Sequence, residues 1–379
     1  MRNLVNLRDL VSVSVLAALC VAMAFVPPAH KIASGASTMR ARVLSVDNSQ
    51  ITLTGLVEYG TQHLKVEMLE GPEKGSSFNA ENELRGQLDF DKKFVEGNTI
   101  LIDWPSQGAT PGVTTLVARD HYRLGWAIVL FGIFAIALIL FGGATGAKAL
   151  FSFVFGCVAV WKLIIPLCLN GWNASITIFI VVCLLSMVIM YLVAGFTRKA
   201  AAALTGTLLG VGVSLASAYI ISKLMHVDGA AMPFVQALMY TGYPDLNLYD
   251  IFCGTVILAS SGAVMDLAMD VSAGIEEVFR RNPALSRREL FISGIRLGRA
   301  VVGTMTTTLL LAYSGGYLTL LMAFAAQGTS PVDFLNSTIV SAELVKTLVG
   351  SFGLVLVAPF TAATGAILIG GKRNFDVEG

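Results

Sequence analysis

Two aspartates, Asp266 and Asp270, stand four residues apart in the run 257–277, which is otherwise apolar enough for a membrane interior. Four residues is about one helical turn, so both carboxylates share a helix face. Gly262, Asp266, Asp270, Ala273 and Glu277 extend that face as a stripe of small and acidic residues. A carboxylate facing lipid is costly or takes up a proton, so the pair is expected to face protein, water or a bound cation. The chemistry on offer is cation or proton binding along a path, each carboxylate disfavouring ionisation of the other. A competing reading makes Asp270, Glu276 and Glu277 boundary residues paired with Arg280, Arg296 or Arg299. Whether the site takes a metal is left open.

Ser260, Ser261 and Gly262 precede the carboxylates by one turn. They are expected either to kink the helix and expose backbone groups to a solute, or, as the favoured alternative, to allow close helix packing. The next apolar segment carries Arg299 and the hydroxyls of Thr304, Thr306, Thr307 and Thr308, more than packing needs, although each Thr can bond to its own preceding turn. An Arg299–Asp270 pair would serve as a gate or a staple. Lys162 requires a carboxylate partner if it lies in mid-membrane and can snorkel if it lies near an interface. Glu343 and Lys346 read as a local ion pair, Pro359 as a kink, and His121 as an interface anchor.

The elements that must position these groups follow from composition. The chain has 379 residues, 55% hydrophobic and only 13% charged, where an ordinary soluble domain carries about 25%. The expected fold is an α-helical polytopic membrane protein with seven or eight transmembrane helices and a small extracytoplasmic all-β domain. Apolar windows long enough to span a bilayer fall at 9–27, 124–142, 147–167, 174–196, 200–224, 250–270, 300–325 and 340–370. This divides the chain into a membrane anchor or signal segment (1–37), a β-domain (38–120), a helical domain (121–371) and a tail (372–379). Ala41–Val46, Gln50–Thr54, His63–Met68 and Thr99–Asp103 read as strands of a barrel-like domain, with a turn at Asp47–Asn48. Basic residues on alternate loops place both termini in the cytoplasm and the β-domain outside a bacterial inner membrane. The loop around 225–249, with Asp228, Asp245 and Asp250, then lies outside as well.

Net charge of +1 gives no sign of nucleic-acid binding. No phosphate-binding loop, zinc-protease or serine-hydrolase motif occurs, no cofactor is implied, and no enzymatic constellation is recognisable. The five cysteines lie in apolar segments without metal-ligand spacing and read as buried hydrophobes.

Gly262–Asp270, Asn282–Leu290, Gly298–Arg299, Gly303–Thr306 and Leu310–Gly316, with Gly71–Gly75, Ala80–Asn82, Asp120–Gly125 and Phe141–Gly143 upstream, resemble the YibE/F-like family of bacterial multi-pass membrane proteins. Thr307 stands where that family's Thr-rich stretch would hold an Asn. The resemblance implies a membrane architecture and hetero-oligomers with a related membrane protein, and brings no substrate; a homo-oligomer is the other assembly expected. Beside the bilayer itself, the partner expected from the residues is an ion or small solute. The alternative role is assembly or sensing, with the β-domain binding a partner.

Overall fold

The computed structural model describes residues 36–106 and 108–370. The window 9–27 and the tail lie outside the described residues. The chain forms two compact units, one within His30–Ala137 and the other from Leu138 onward.

The first unit is a closed five-stranded barrel: β1 (Ala36–Thr54), β2 (Val57–Met68), β3 (Ser77–Arg85), β4 (Thr99–Pro105) and β5 (Thr115–His121), in the order β1-β2-β3-β5-β4. All neighbours are antiparallel except β3 and β5. Strict alternation builds the core: along β3, Phe78, Ala80, Asn82 and Leu84 point inward. The turn expected at Asp47–Asn48 is instead an irregularity inside β1, where the Ser49 amide donates to the Asp47 carboxylate at 2.9 Å while pairing to β2 resumes at Gln50. Phe94, from the β3–β4 connection, plugs the barrel and is 1% exposed. Buried Gln62 holds it there, accepting from the Phe94 amide and donating to its carbonyl, both at 3.0 Å.

The second unit is helical. Its elements are α1 (Leu124–Ala159, which starts in the first unit), a π turn at Val160–Ile164, α2 (Ile165–Leu169), α3 (Ala174–Ala194), α4 (Arg198–Leu224), α5 (Val235–Tyr240), α6 (Leu248–Arg281), α7 (Arg287–Gly316), α8 (Leu318–Ala326), α9 (Pro331–Asn336) and α10 (Thr338–Leu368). Starts are written locally: Asn173, Thr197 and Asn247 cap α3, α4 and α6 with side-chain oxygens, and Ser286 forms a reciprocal capping box with Glu289 on α7.

Windows 124–142 and 147–167 fall in one helical stretch, Leu124–Leu169, broken at Gly143 (φ 54°, ψ −128°). Just beyond, a Cβ on Gly146 would collide with the Leu138 carbonyl, so the chain turns sharply at the break. The window 300–325 covers a pair, α7 and α8, bent by 65° at Tyr317. Among the described residues, five stretches are long and apolar enough to cross a membrane, or six if the bent pair is one span. Windows 124–142 and 147–167 are the two arms of that first stretch on either side of Gly143, which enter this number as one.

Close packing by small residues brings α4 onto α10. A Cβ on Gly206 would strike Thr361, one on Gly353 would strike Ser214, and one on Gly210 would come 3.1 Å from Val357. Pro359 sits inside α10, which continues to Leu368.

Candidate functional site

The helix α6 is continuous from Leu248 to Arg281, so Ser260–Gly262 does not break it. Ser260 and Ser261 are buried, and their hydroxyls donate to the carbonyls of Val256 (3.0 Å) and Leu258 (2.8 Å). Ser260 abuts Gly350 of α10, so the packing reading holds here.

Between Ile251 and Phe279 the exposed residues of α6 are Ala259, Gly262, Asp266 and Asp270. The carboxylate stripe therefore lies on the outside of the helical unit. Of the three surroundings expected for the pair, protein of this chain is not the one found: small residues on the opposite face pack closely onto α4 and α10 and the carboxylates are turned outward. Neither Asp266 nor Asp270 has a hydrogen-bond or ion-pair partner among the described residues.

Three contacts fix the antiparallel register of α6 and α7: Gly274 with Leu297, Ile275 with Gly294, and Val271 with Gly298. Counting from them puts Asp270 level with Arg299 and Ala300, Asp266 level with Gly303 and Thr304, and Gly262 level with Thr307 and Thr308. Arg296, Arg299, Ala300, Gly303, Thr304, Thr307 and Thr308 are all exposed. The four predicted threonines each donate to their own helix: Thr304 to Val301, Thr306 to Val302, Thr307 to Gly303 and Thr308 to Thr304, at 2.7–3.0 Å. The oxygens of Thr304, Thr307 and Thr308 keep free lone pairs on one side of α7, whereas Thr306, two residues from Thr304 and from Thr308, lies on the opposite side and is half-buried.

Of the expected ion pairs, Glu277–Arg280 forms and those to Arg296 and Arg299 do not. Glu276 binds Lys199 at 2.8 Å, and Glu277 binds both Arg280 and Arg281, at 2.5 and 2.7 Å. Asp270 and Arg299 share a level without pairing, because each side chain extends outward from its own helix. Lys162 falls in the π turn, half-buried and without a carboxylate partner among the described residues. Glu343 and Lys346 do pair, at 2.6 Å, with the ammonium 5.6 Å from the Tyr317 ring centroid and 5.8 Å from that of Phe252. Glu343 Oε2 and the Tyr313 hydroxyl are buried there without a partner.

Sequence reasoning missed Asp250, which it read only as a loop acid. Its side chain is 7% exposed and accepts from the Tyr219 hydroxyl, from Asn173 Nδ2 at 2.7 Å and from Asn247 Nδ2 at 2.9 Å, while its carbonyl accepts from Ser175 at 2.7 Å. The network ties α3 and α4 to the start of α6. The available signal was the Asn-x-x-Asp spacing of a helix start. Among the described residues, no three His, Cys, Asp or Glu side chains converge to hold a metal ion.

The other outward faces carry large apolar side chains: Ile176, Ile180, Met187 and Val193 on α3, and Leu344, Leu348, Phe352 and Val355 on α10. Helices of this length and apolarity, with such residues outward, are those of an integral membrane protein. Residues 130–371 match the family model for YibE/F-like proteins, and residues 37–115 match that of the YibE/F family N-terminal domain; the chain belongs to the YibE/F-like family. No curated protein and no solved structure matches it.

Proposed function

We propose that the protein carries a cation or small solute across a bacterial inner membrane, with Asp266 as the principal binding carboxylate and Asp270 beside it. The observation that supports this is the outward side of α6 and α7, where two unpaired carboxylates and the oxygens of Thr304, Thr307 and Thr308 are exposed in a unit whose outward faces on α3 and α10 are apolar. Hard oxygen donors of this kind suit an alkali or alkaline-earth cation or a proton. Gly262 leaves open space beside them, as a passing ion requires. In this reading both termini are cytoplasmic and the barrel is extracytoplasmic, following the distribution of basic residues in the loops. No catalytic step is involved.

The test is cation flux into vesicles reconstituted with the purified protein, wild type against Asp266→Asn, preceded by a thermal-shift screen of cations to choose the probe. Flux abolished by the substitution supports the reading. Flux unchanged in Asp266→Asn refutes it.

A second reading, assembly or sensing through the barrel, is favoured by one observation: Leu53 and Leu56, at the β1–β2 hairpin, are 71% and 91% exposed. Deleting residues 38–118 separates the two, since a transporter retains flux and an adaptor loses its partner.

A further inference from the structure

We infer that the polar face of α6 and α7 is covered by the same face of a second copy of this chain, in a two-fold dimer whose axis runs along the membrane normal. The inference deepens the translocation reading, on which it rests for placing these helices in the membrane and the cation path between two protomers.

The face is divided by charge. Its acidic half is α6, with Asp266 and Asp270; its basic half is α7, with Arg296 and Arg299. All four are exposed and none has a hydrogen-bond or ion-pair partner among the described residues. A single copy in lipid would leave two carboxylates and two guanidiniums against hydrocarbon or at strained depth, which is unfavourable. A second copy resolves this because of the register. A two-fold axis along the membrane normal keeps every residue at its own depth. Asp270 is level with Arg299 and within about one turn of Arg296. Setting α6 of one protomer against α7 of the other therefore brings each acidic half onto a basic half, twice, which is what an isologous interface requires. The side chains between the charges also permit it. At the level of the carboxylates, Gly262 on α6 and Ala300 and Gly303 on α7 let two backbones approach closely, whereas Leu310 and Leu311, one turn further along α7, and the leucines and phenylalanine on α10 are bulky. The shared face also doubles the ligands: two copies of Asp266 and of Thr304 would line one path.

The test uses two charge variants of the full chain. In one, Asp266→Lys and Asp270→Lys make the whole face basic; in the other, Arg296→Glu and Arg299→Glu make it acidic. Stoichiometry is read in lipid vesicles by single-molecule photobleaching across a range of protein-to-lipid ratios. Wild type is expected to dimerise. Each variant alone is expected to fall at least about tenfold in dimer population, and the mixture of the two to recover it, because only the mixed pair restores opposite charges. A disulfide between Gly262→Cys in one chain and Thr307→Cys in another, located by mass spectrometry, supplies a readout independent of the charge changes. Wild type monomeric at every ratio, a mixture that does not recover, or cross-links only on other faces would overturn the inference. Failure of the flux experiment with an intact mixed dimer would remove the transport reading and leave this interface standing.

Discussion

Replacing Asp250 with alanine is expected to be the most damaging single substitution in the helical unit. The carboxylate is 7% exposed and accepts three side-chain hydrogen bonds, from Tyr219, Asn173 and Asn247. Hydrogen bonds to a charged acceptor are worth about 1.5–3 kcal/mol each, and donors left buried and unpaired cost about 1–3 kcal/mol each. The full sum overstates the loss, because Asn247 also caps α6 through its own oxygen and can turn toward water. Taking two of the three donors as fully orphaned gives about 2–6 kcal/mol, which brackets the about 3–5 kcal/mol typical when one partner of a buried charged pair is removed. Asp250→Asn preserves the shape but accepts fewer bonds and should cost about half as much, and Tyr219→Phe, which removes one donor, about 1.5–3 kcal/mol. The assay is reversible unfolding in mixed detergent micelles titrated with SDS, monitored by far-UV circular dichroism. A loss below about 1 kcal/mol for Asp250→Ala would refute the view that this network fastens α3 and α4 to α6.

Three further outcomes are expected. Gly206→Leu forces a side chain into the space held by Thr361 and should destabilise the helical unit by about 1–3 kcal/mol in the same titration. Phe94→Ala empties the plug of the barrel, with an expected cost of about 3–5 kcal/mol read from the fluorescence of buried Trp104 in denaturant. Burial, with the Arg123 charge adding to it, holds His121 below its ordinary pKa of 6.5. The folded barrel then binds the proton less readily than the unfolded chain, so His121 costs nothing above pH 6.5 and stability falls as the pH drops through that value. Urea midpoints at pH 7.5 and 5.5 should differ in wild type and converge in His121→Gln; equal midpoints in wild type would contradict it.

Much of the fold was legible because its signals are local. Apolar windows located the long helices, and runs of β-formers located β1, β2 and β4 but not β3 or β5. The Glu343–Lys346 pair was legible too, since residues three apart on a helix are neighbours whatever surrounds them. The same periodicity put Asp266 and Asp270 on one face. It could not say which way that face turned, because orientation depends on what packs against the opposite side. Only tertiary structure decided that Ser260, Gly274 and Ile275 meet other helices, which sends the carboxylates outward and leaves them unpaired. The merging of two strands into β1 and the convergence of Asn173, Tyr219 and Asp250 were likewise invisible. They rest on contacts between residues far apart in the chain, which no spacing along the sequence encodes, whereas helix propensity, amphipathic period and hydrophobic length are properties of neighbouring residues.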